Sequence, residues 1–374
     1  MKKKIFIPML FLVSLLFPRE SHGQAFLNSV KQNHSGPVLL LMHPTVHNLR
    51  TVINLMEKEL IVAEEIRMVG VYHHKERYNY GQSRTFLDTV SNLPADIFLH
   101  RIKDSISSEM LYAENELSDD YATIFEQSSG VIFFGGPDLP PETYDEKTNL
   151  LTSIYDPYRH YFELSFLFHL LGGKQNPDFE PLLEQNSEYL IYGFCLGMQT
   201  MNVATGGTMI QDIPTQVYGA LYAEDIIKMD INKKHRNYYR TLSIDENLLS
   251  GSFHQIHFLK DSYLKTFRKE QLLPVVYSNH HQAVKKTGKG FEAIAASLDG
   301  EITEAIQHQK YVNVKGVQFH PEAMLLYRRD ILFKRTPRDT TLSTGPVILE
   351  EASSTEFHEK FWKDFSNRLI QTKR

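Results

Sequence analysis

Four apolar runs most constrain the fold of this chain: "GPVLLLMHP" (36–44), "IRMVGVYHH" (66–74), "GVIFFGGPD" (130–138) and "SEYLIYGFC" (187–195). Each is short, nearly continuous, and bounded by Gly, Pro or polar turn residues. A strand with one wet face alternates apolar and polar positions, whereas a strand covered on both faces has no need to. "TVHNLRTVINLMEKELI" (45–61) follows the first run with apolar residues at helical spacing and Thr45 as a candidate N-cap. The helix-like "LGMQTMNVAT" follows the fourth. Buried strands alternating with helices predict an α/β fold, a three-layer sandwich around a mostly parallel central sheet.

The second half reads differently. "GFEAIAASLDGEITEAIQHQKYVNVKGVQFHPE" (290–322) predicts successive strands with tight turns, one at Asp299-Gly300, and a last β run ending at Pro321: a small β extension of the sheet. "FKRTPRDTTLSTGP" (333–346) reads as a surface loop. "STEFHEKFWKDFSNRLIQTK" (354–373) reads as an amphipathic helix with Ser354 as N-cap and basic residues at its end. No internal repeat is present. The expected organisation is a leader over 1–24 and one domain over 25–374, with insertions near 172–188 and 325–352.

The leader expectation comes from "MKKK", the apolar "IFIPMLFLVSLLF" and the polar "PRESHGQAF", the layout of a secretory signal peptide cleaved near Gly23 or Ala25. The apolar run is shorter than the roughly 20 residues of a membrane span. An uncleaved anchor is the alternative; cleavage predicts a secreted or periplasmic protein with no stable membrane insertion. Of 374 residues 42% are apolar and 23% charged, which excludes a disordered chain. A net charge of -5 gives no footprint for nucleic acid.

The chain has one cysteine, Cys195, which excludes an internal disulfide. It stands in G-x-C-x-G, between a strand and a helix. A nucleophile on such a sharp turn needs small neighbours, here Gly193 and Gly197. The helix N-terminus favours a thiolate, and the Leu196 N–H is a candidate oxyanion donor. The bland alternative is a buried structural cysteine. His320, in "GVQFHPEA", is the candidate base, with Glu322 two residues on to orient its ring. Gly135-Gly136, ending the third apolar run, lets backbone approach a reacting group, with Gly136 N–H as a second donor; an ordinary β-turn is the alternative. In "YSNHHQAV" (277–284), His280, His281 and Gln282 are placed to line a site. The adjacent histidines raise the question of a metal, but no HExxH, cysteine cluster or acidic partner at ligand spacing is present, so no metal and no cofactor are expected.

Together "GVIFFGGPDLPPETYDE", "GFCLGMQTMNVATGGTMIQDI", "SNHHQAV", "FEAIAASLDGEITEA" and "GVQFHPE" resemble, in order, the class I glutamine amidotransferase-like superfamily, which is flavodoxin-like in fold. Within it the chain resembles the gamma-glutamyl hydrolase group, peptidase family C26, and its bacterial gamma-glutamyl-gamma-aminobutyrate hydrolase branch. The likeness covers roughly residues 125 to 323. It implies Cys195 as nucleophile, His320 as base and Glu322 as orienting acid. It implies oxyanion donors at Gly136 and Leu196, Gln199 beside the gamma-glutamyl pocket, and His281 near the site. The implied partner is a small gamma-glutamyl compound, with homodimerisation left open. Leu196 stands where the closest branch commonly has Arg. The alternatives are a glutaminase subunit feeding ammonia to a synthase, for which the chain has no ATP-binding signature, and a non-catalytic exported binding protein on the same scaffold.

Overall fold

In the computed structural model, which describes residues 35–372 apart from 244, 260–261 and 269–271, the apolar runs are strands. They are β1 (Val38–Met42), β2 (Arg67–His73), β4 (Gly130–Phe133) and β5 (Leu190–Phe194), with β3 (Asp96–Ile102) added between the second and third. The leader over 1–24 lies outside the described residues. With β12 (Val314–Val317) these strands pair in parallel, in the order β3-β2-β1-β4-β5-β12.

Burial on both faces is the physical reason for the continuous runs. Val38, Leu40 and Met42 enter one core, Leu39 and Leu41 the other. Val131 and Phe133 are divided from Ile132 and Phe134 in the same way. The first core is closed by α3 (Ser118–Glu126), α4 (Pro157–Leu171) and α5 (Leu196–Ala204). The second is closed by α1 (Val46–Glu57), by α2 (Tyr80–Thr89) at its margin, and by the C-terminal α7 (Thr355–Gln371). Helices on both faces of a mostly parallel sheet make the three layers expected.

Beyond β12 the ten-stranded sheet turns antiparallel, through β11 (Thr303–His308), β10 (Phe291–Ser297), β7 (Ser252–Phe258) and β8 (Val275–Ser278). Gly300, at φ 80°, makes the β10–β11 turn. A separate two-stranded sheet joins β6 (Thr208–Ile210) to β9 (Ala283–Lys286).

Thr45 caps α1 as expected, its hydroxyl accepting from the Asn48 N–H at 3.2 Å. Ser354 does not cap α7 with its side chain. Its hydroxyl accepts from the Val275 N–H at 2.9 Å, because β8 runs past the helix start and needs that acceptor. The 333–346 segment is more than a surface loop: Phe333 is buried with Phe253 and Tyr277, pairs with Ser343, and leads into α6 (Gly345–Glu351). Its polar composition hid one anchoring aromatic.

Candidate active site

The sheet order sets β4, β5 and β12 side by side, with Phe133 opposite Gly193 and Gly193 opposite Gly316. Gly135-Gly136, Cys195 and His320 follow the carboxyl ends of these three strands. That edge of an open α/β sheet is where such folds hold ligands.

Cys195 is the residue between β5 and α5, with φ 51° and ψ -106°. It is 5% exposed. A non-glycine residue in this region carries roughly 1–3 kcal/mol of strain and stays there only where its surroundings impose it. Here they do. The Cys195 N–H donates to the Val317 carbonyl at 2.8 Å, and the Cys195 carbonyl accepts from the Gln199 N–H at 3.2 Å. The two flanking glycines are sterically required. A Cβ on Gly197 would lie 2.2 Å from the Phe133 oxygen, and one on Gly193 2.5 Å from the Met201 sulfur.

β12 ends at Val317, three residues before His320, whose own N–H donates to the Tyr277 carbonyl at 2.8 Å. The His320 Nδ1 lies 2.7 Å from Glu322 Oε1, across the stiff Pro321. Cys195 is the imidazole's other polar neighbour. Burial would lower the His320 pKa, but the Glu322 carboxylate and Cys195 outweigh it and hold it well above its ordinary value. A Cβ at Gly135 would stand 2.8 Å from His320 Cε1 and 3.5 Å from the Cys195 Cβ, so Gly135 floors the thiol–imidazole pair. This set can deliver a sulfur nucleophile and return a proton from one imidazole.

Leu196 contributes no side chain to solvent; it is fully buried in the core under the sheet. As the first residue of α5 its N–H has no acceptor within the helix. Gln199 is 4% exposed, and its amide donates to the Gln282 carbonyl (3.3 Å) and Gln318 Oε1 (3.2 Å), bracing α5 against the β12 side. His281 is held from both sides. Nδ1 is 3.0 Å from Asp212 Oδ1, and Nε2 is 3.1 Å from both Asp138 oxygens. Burial lowers its pKa, yet these two carboxylates raise it above the ordinary value. Asp138 lies two residues past Gly136, so His281 ties the glycine turn to the segment after β6.

Two residues with a direct bearing on the site are absent from the sequence expectations. Arg159 of α4 donates to the carbonyls of Phe134 (2.9 Å) and Gly135 (3.1 Å) and pairs with Glu163 at 2.8 Å. Holding both carbonyls fixes the peptide planes on either side of Gly135, and so the direction of the Gly136 N–H. A Cβ on Gly136 would clash with Arg159 Nη1 at 2.2 Å. In sequence the pair looks like an ordinary i,i+4 ion pair; only the apolar remainder of "PYRHYFELSFLFHLL" hinted that this helix is buried all round.

The expectation of no metal rested on the lack of an HExxH motif, of a cysteine cluster and of an acidic partner at ligand spacing. The fold supplies one from a distance: His280, His235 and Glu304 bring ligand atoms to within 4.8 Å of one another. No helix among the described residues is long and apolar enough to cross a membrane.

The chain is similar to the glutamine amidotransferase-like proteins YvdE of Lactococcus lactis subsp. lactis and RP404 of Rickettsia prowazekii. The first is 29% identical over 203 residues, 54% of this chain and 68% of the relative. The second is 28% identical over 226 residues, 55% of this chain and 74% of the relative. Anthranilate synthase beta subunit 2 of Arabidopsis thaliana is 25% identical over 146 residues, 39% of this chain and 42% of the relative. The peptidase C26 family pattern matches residues 67–322, spanning β2 through the His320–Glu322 pair. With its class I glutamine amidotransferase fold, and with chemistry of the hydrolase or amidotransferase type, the chain belongs to the peptidase C26 family.

Proposed function

We propose that the protein is an exported thiol hydrolase that cleaves gamma-glutamyl amide bonds through Cys195, His320 and Glu322. One observation carries the reading: the His320 imidazole lies between the Glu322 carboxylate and Cys195, which stands on a strained strand-to-helix elbow. His320 holds the proton and Cys195 attacks as thiolate. A sulfur–carbon bond forms to the side-chain carbonyl of the gamma-glutamyl group, and the oxyanion rests on the N–H groups of Gly136 and Leu196. The imidazolium gives its proton to the leaving nitrogen as the carbon–nitrogen bond breaks. Water then loses a proton to His320 and attacks the thioester, the carbon–sulfur bond breaks, and glutamate and the thiolate are released. Gln199 and His281 shape the gamma-glutamyl side.

The test is hydrolysis of a panel of gamma-glutamyl amides by the mature protein, with mass spectrometry for a gamma-glutamyl thioester on Cys195. Turnover without a Cys195 adduct, or none with any gamma-glutamyl amide, would sink the reading. Export has its own test: the protein recovered outside the cytoplasm should lack residues 1–24, and an intact leader would overturn it.

The raised pKa of His320 gives a pH dependence. A group whose folded pKa is raised contributes stability in full below the unfolded value, about 6.5 for His, and loses it as pH rises through the folded value. Activity that needs the imidazolium is lost over that same alkaline range. Glu322→Gln removes a main cause of the shift, so the alkaline limb of kcat/KM should move down by about one pH unit. A limb that stays in place would remove Glu322 from its orienting role.

A glutaminase reading of the same site is favoured by the likeness to the anthranilate synthase beta subunit. It predicts ammonia release from glutamine that rises when a synthase partner is added; full gamma-glutamyl turnover by the isolated chain would exclude it. Covalent labelling of Cys195 by a glutamine-like electrophile separates both readings from a non-catalytic binding protein.

A further inference from the structure

Behind the candidate active site, inside the antiparallel extension, lies a group of ligating side chains that the proposed chemistry does not use. His235, before β7, is 1% exposed; His280, after β8, is 5% exposed; Glu304, in β11, is fully buried. Both ring nitrogens of His235, the Nε2 of His280 and both carboxylate oxygens of Glu304 are buried without a hydrogen-bond partner among the described residues. Buried polar atoms are nearly always partnered, and one unpartnered ligand atom from each of the three residues, all within 4.8 Å of one another, asks for an occupant.

The spacing fits an ion better than a hydrogen bond. His235 Nδ1 and Glu304 Oε1 are 3.2 Å apart, yet they do not form one. Two ligands about 2.0–2.1 Å from a tetrahedral ion stand roughly 3.3–3.4 Å apart. The tautomer of His280 is also set for ligation. Its Nδ1–H donates to the Gln282 carbonyl at 2.8 Å, leaving the Nε2 lone pair facing the group. That is the supporting bond that ligating histidines commonly make. His254 borders the group, its ring 4.7 Å from that of His235 and its Nε2 bonded to Ser278 Oγ at 2.8 Å.

We propose that His235, His280 and Glu304 hold a divalent cation of the zinc class. Imidazole nitrogens with one carboxylate suit zinc, whereas calcium and magnesium prefer six or more oxygens and soft ions prefer thiolate. The role is structural. The ion fastens the segment before β7, the turn after β8 and strand β11 to one another, at the end of the strand whose Tyr277 carbonyl anchors the His320 N–H.

The proposal does not depend on the chemistry at Cys195, and metal content tests it rather than turnover. Full-length mature protein, stripped with chelator and reloaded with zinc, should carry about one zinc per chain after gel filtration and melt several degrees higher than the stripped form. Cobalt in place of zinc should give the intense visible bands of a tetrahedral site. Glu304→Gln, nearly isosteric, should weaken zinc binding at least about 100-fold, while His47→Ala at an exposed position should leave stoichiometry unchanged. If the variant fails to fold, the cobalt spectrum of the unaltered protein decides. No zinc uptake, an octahedral cobalt spectrum, or full binding by folded Glu304→Gln would overturn the proposal.

Discussion

Cys195→Gly is expected to abolish gamma-glutamyl hydrolysis and still to melt at a higher temperature than Cys195→Ala. Both variants remove the sulfur, and losing the nucleophile of such a set costs on the order of 10⁶ in kcat. They differ in backbone. Position 195 sits at φ 51° and ψ -106°, held there by the Val317 and Gln199 hydrogen bonds. A residue with a Cβ carries roughly 1–3 kcal/mol of strain in such a conformation, and glycine carries little. At an ordinary helix position glycine would be the worse residue by about 0.5–1 kcal/mol, so the expected order is reversed. Thermal melts of the two variants beside the parent read the difference directly. An alanine variant as stable as the glycine one would mean that the elbow is relaxed and that its geometry is no argument for a nucleophile.

Arg159 carries the second large effect. Arg159→Met should destabilise the protein by about 3–5 kcal/mol, because it leaves Glu163 buried without its partner and two carbonyls without donors. Joining Glu163→Leu to it should restore most of that stability, since a buried ion pair replaced by apolar side chains is often neutral or better. Activity should not return with it. Without the guanidinium the Gly135 and Gly136 peptides lose their orientation, and an angstrom of misplacement costs about 100-fold. Denaturant unfolding and kcat/KM on the single and double variants separate the two roles. A double variant that recovers both would reduce Arg159 to a core residue.

The parts of this protein legible in sequence are those whose cause is local. Gly193 and Gly197 announce the elbow because nothing larger fits beside Phe133 and Met201. The His320–Glu322 pair is legible because only Pro321 separates the two, although a turn closed by the Ala323 N–H on the His320 carbonyl at 3.3 Å, and not the extended chain expected, brings the carboxylate to the ring. The parallel half of the sheet is legible because burial on two faces writes continuous apolar runs. What stays hidden depends on distant partners. Glu304 is 24 residues past His280, and only the pairing of β11 inside the extension brings them together. Ser354 has the right chemistry to cap α7, but β8 claims its hydroxyl. Arg159 is spelled like a surface residue and is revealed by the two carbonyls it holds.

The only tryptophan in the chain, Trp362, is fully buried in α7, and its indole N–H reaches the Pro321 carbonyl at 3.2 Å, between His320 and Glu322. The Tyr327 hydroxyl shares that oxygen at 2.6 Å. The protein thus carries a single indole fluorophore, selectively excitable apart from its tyrosines, bonded to the backbone of its histidine–carboxylate turn. Its emission should be blue-shifted at rest and should change when Cys195 is acylated, giving a label-free optical record of each turnover.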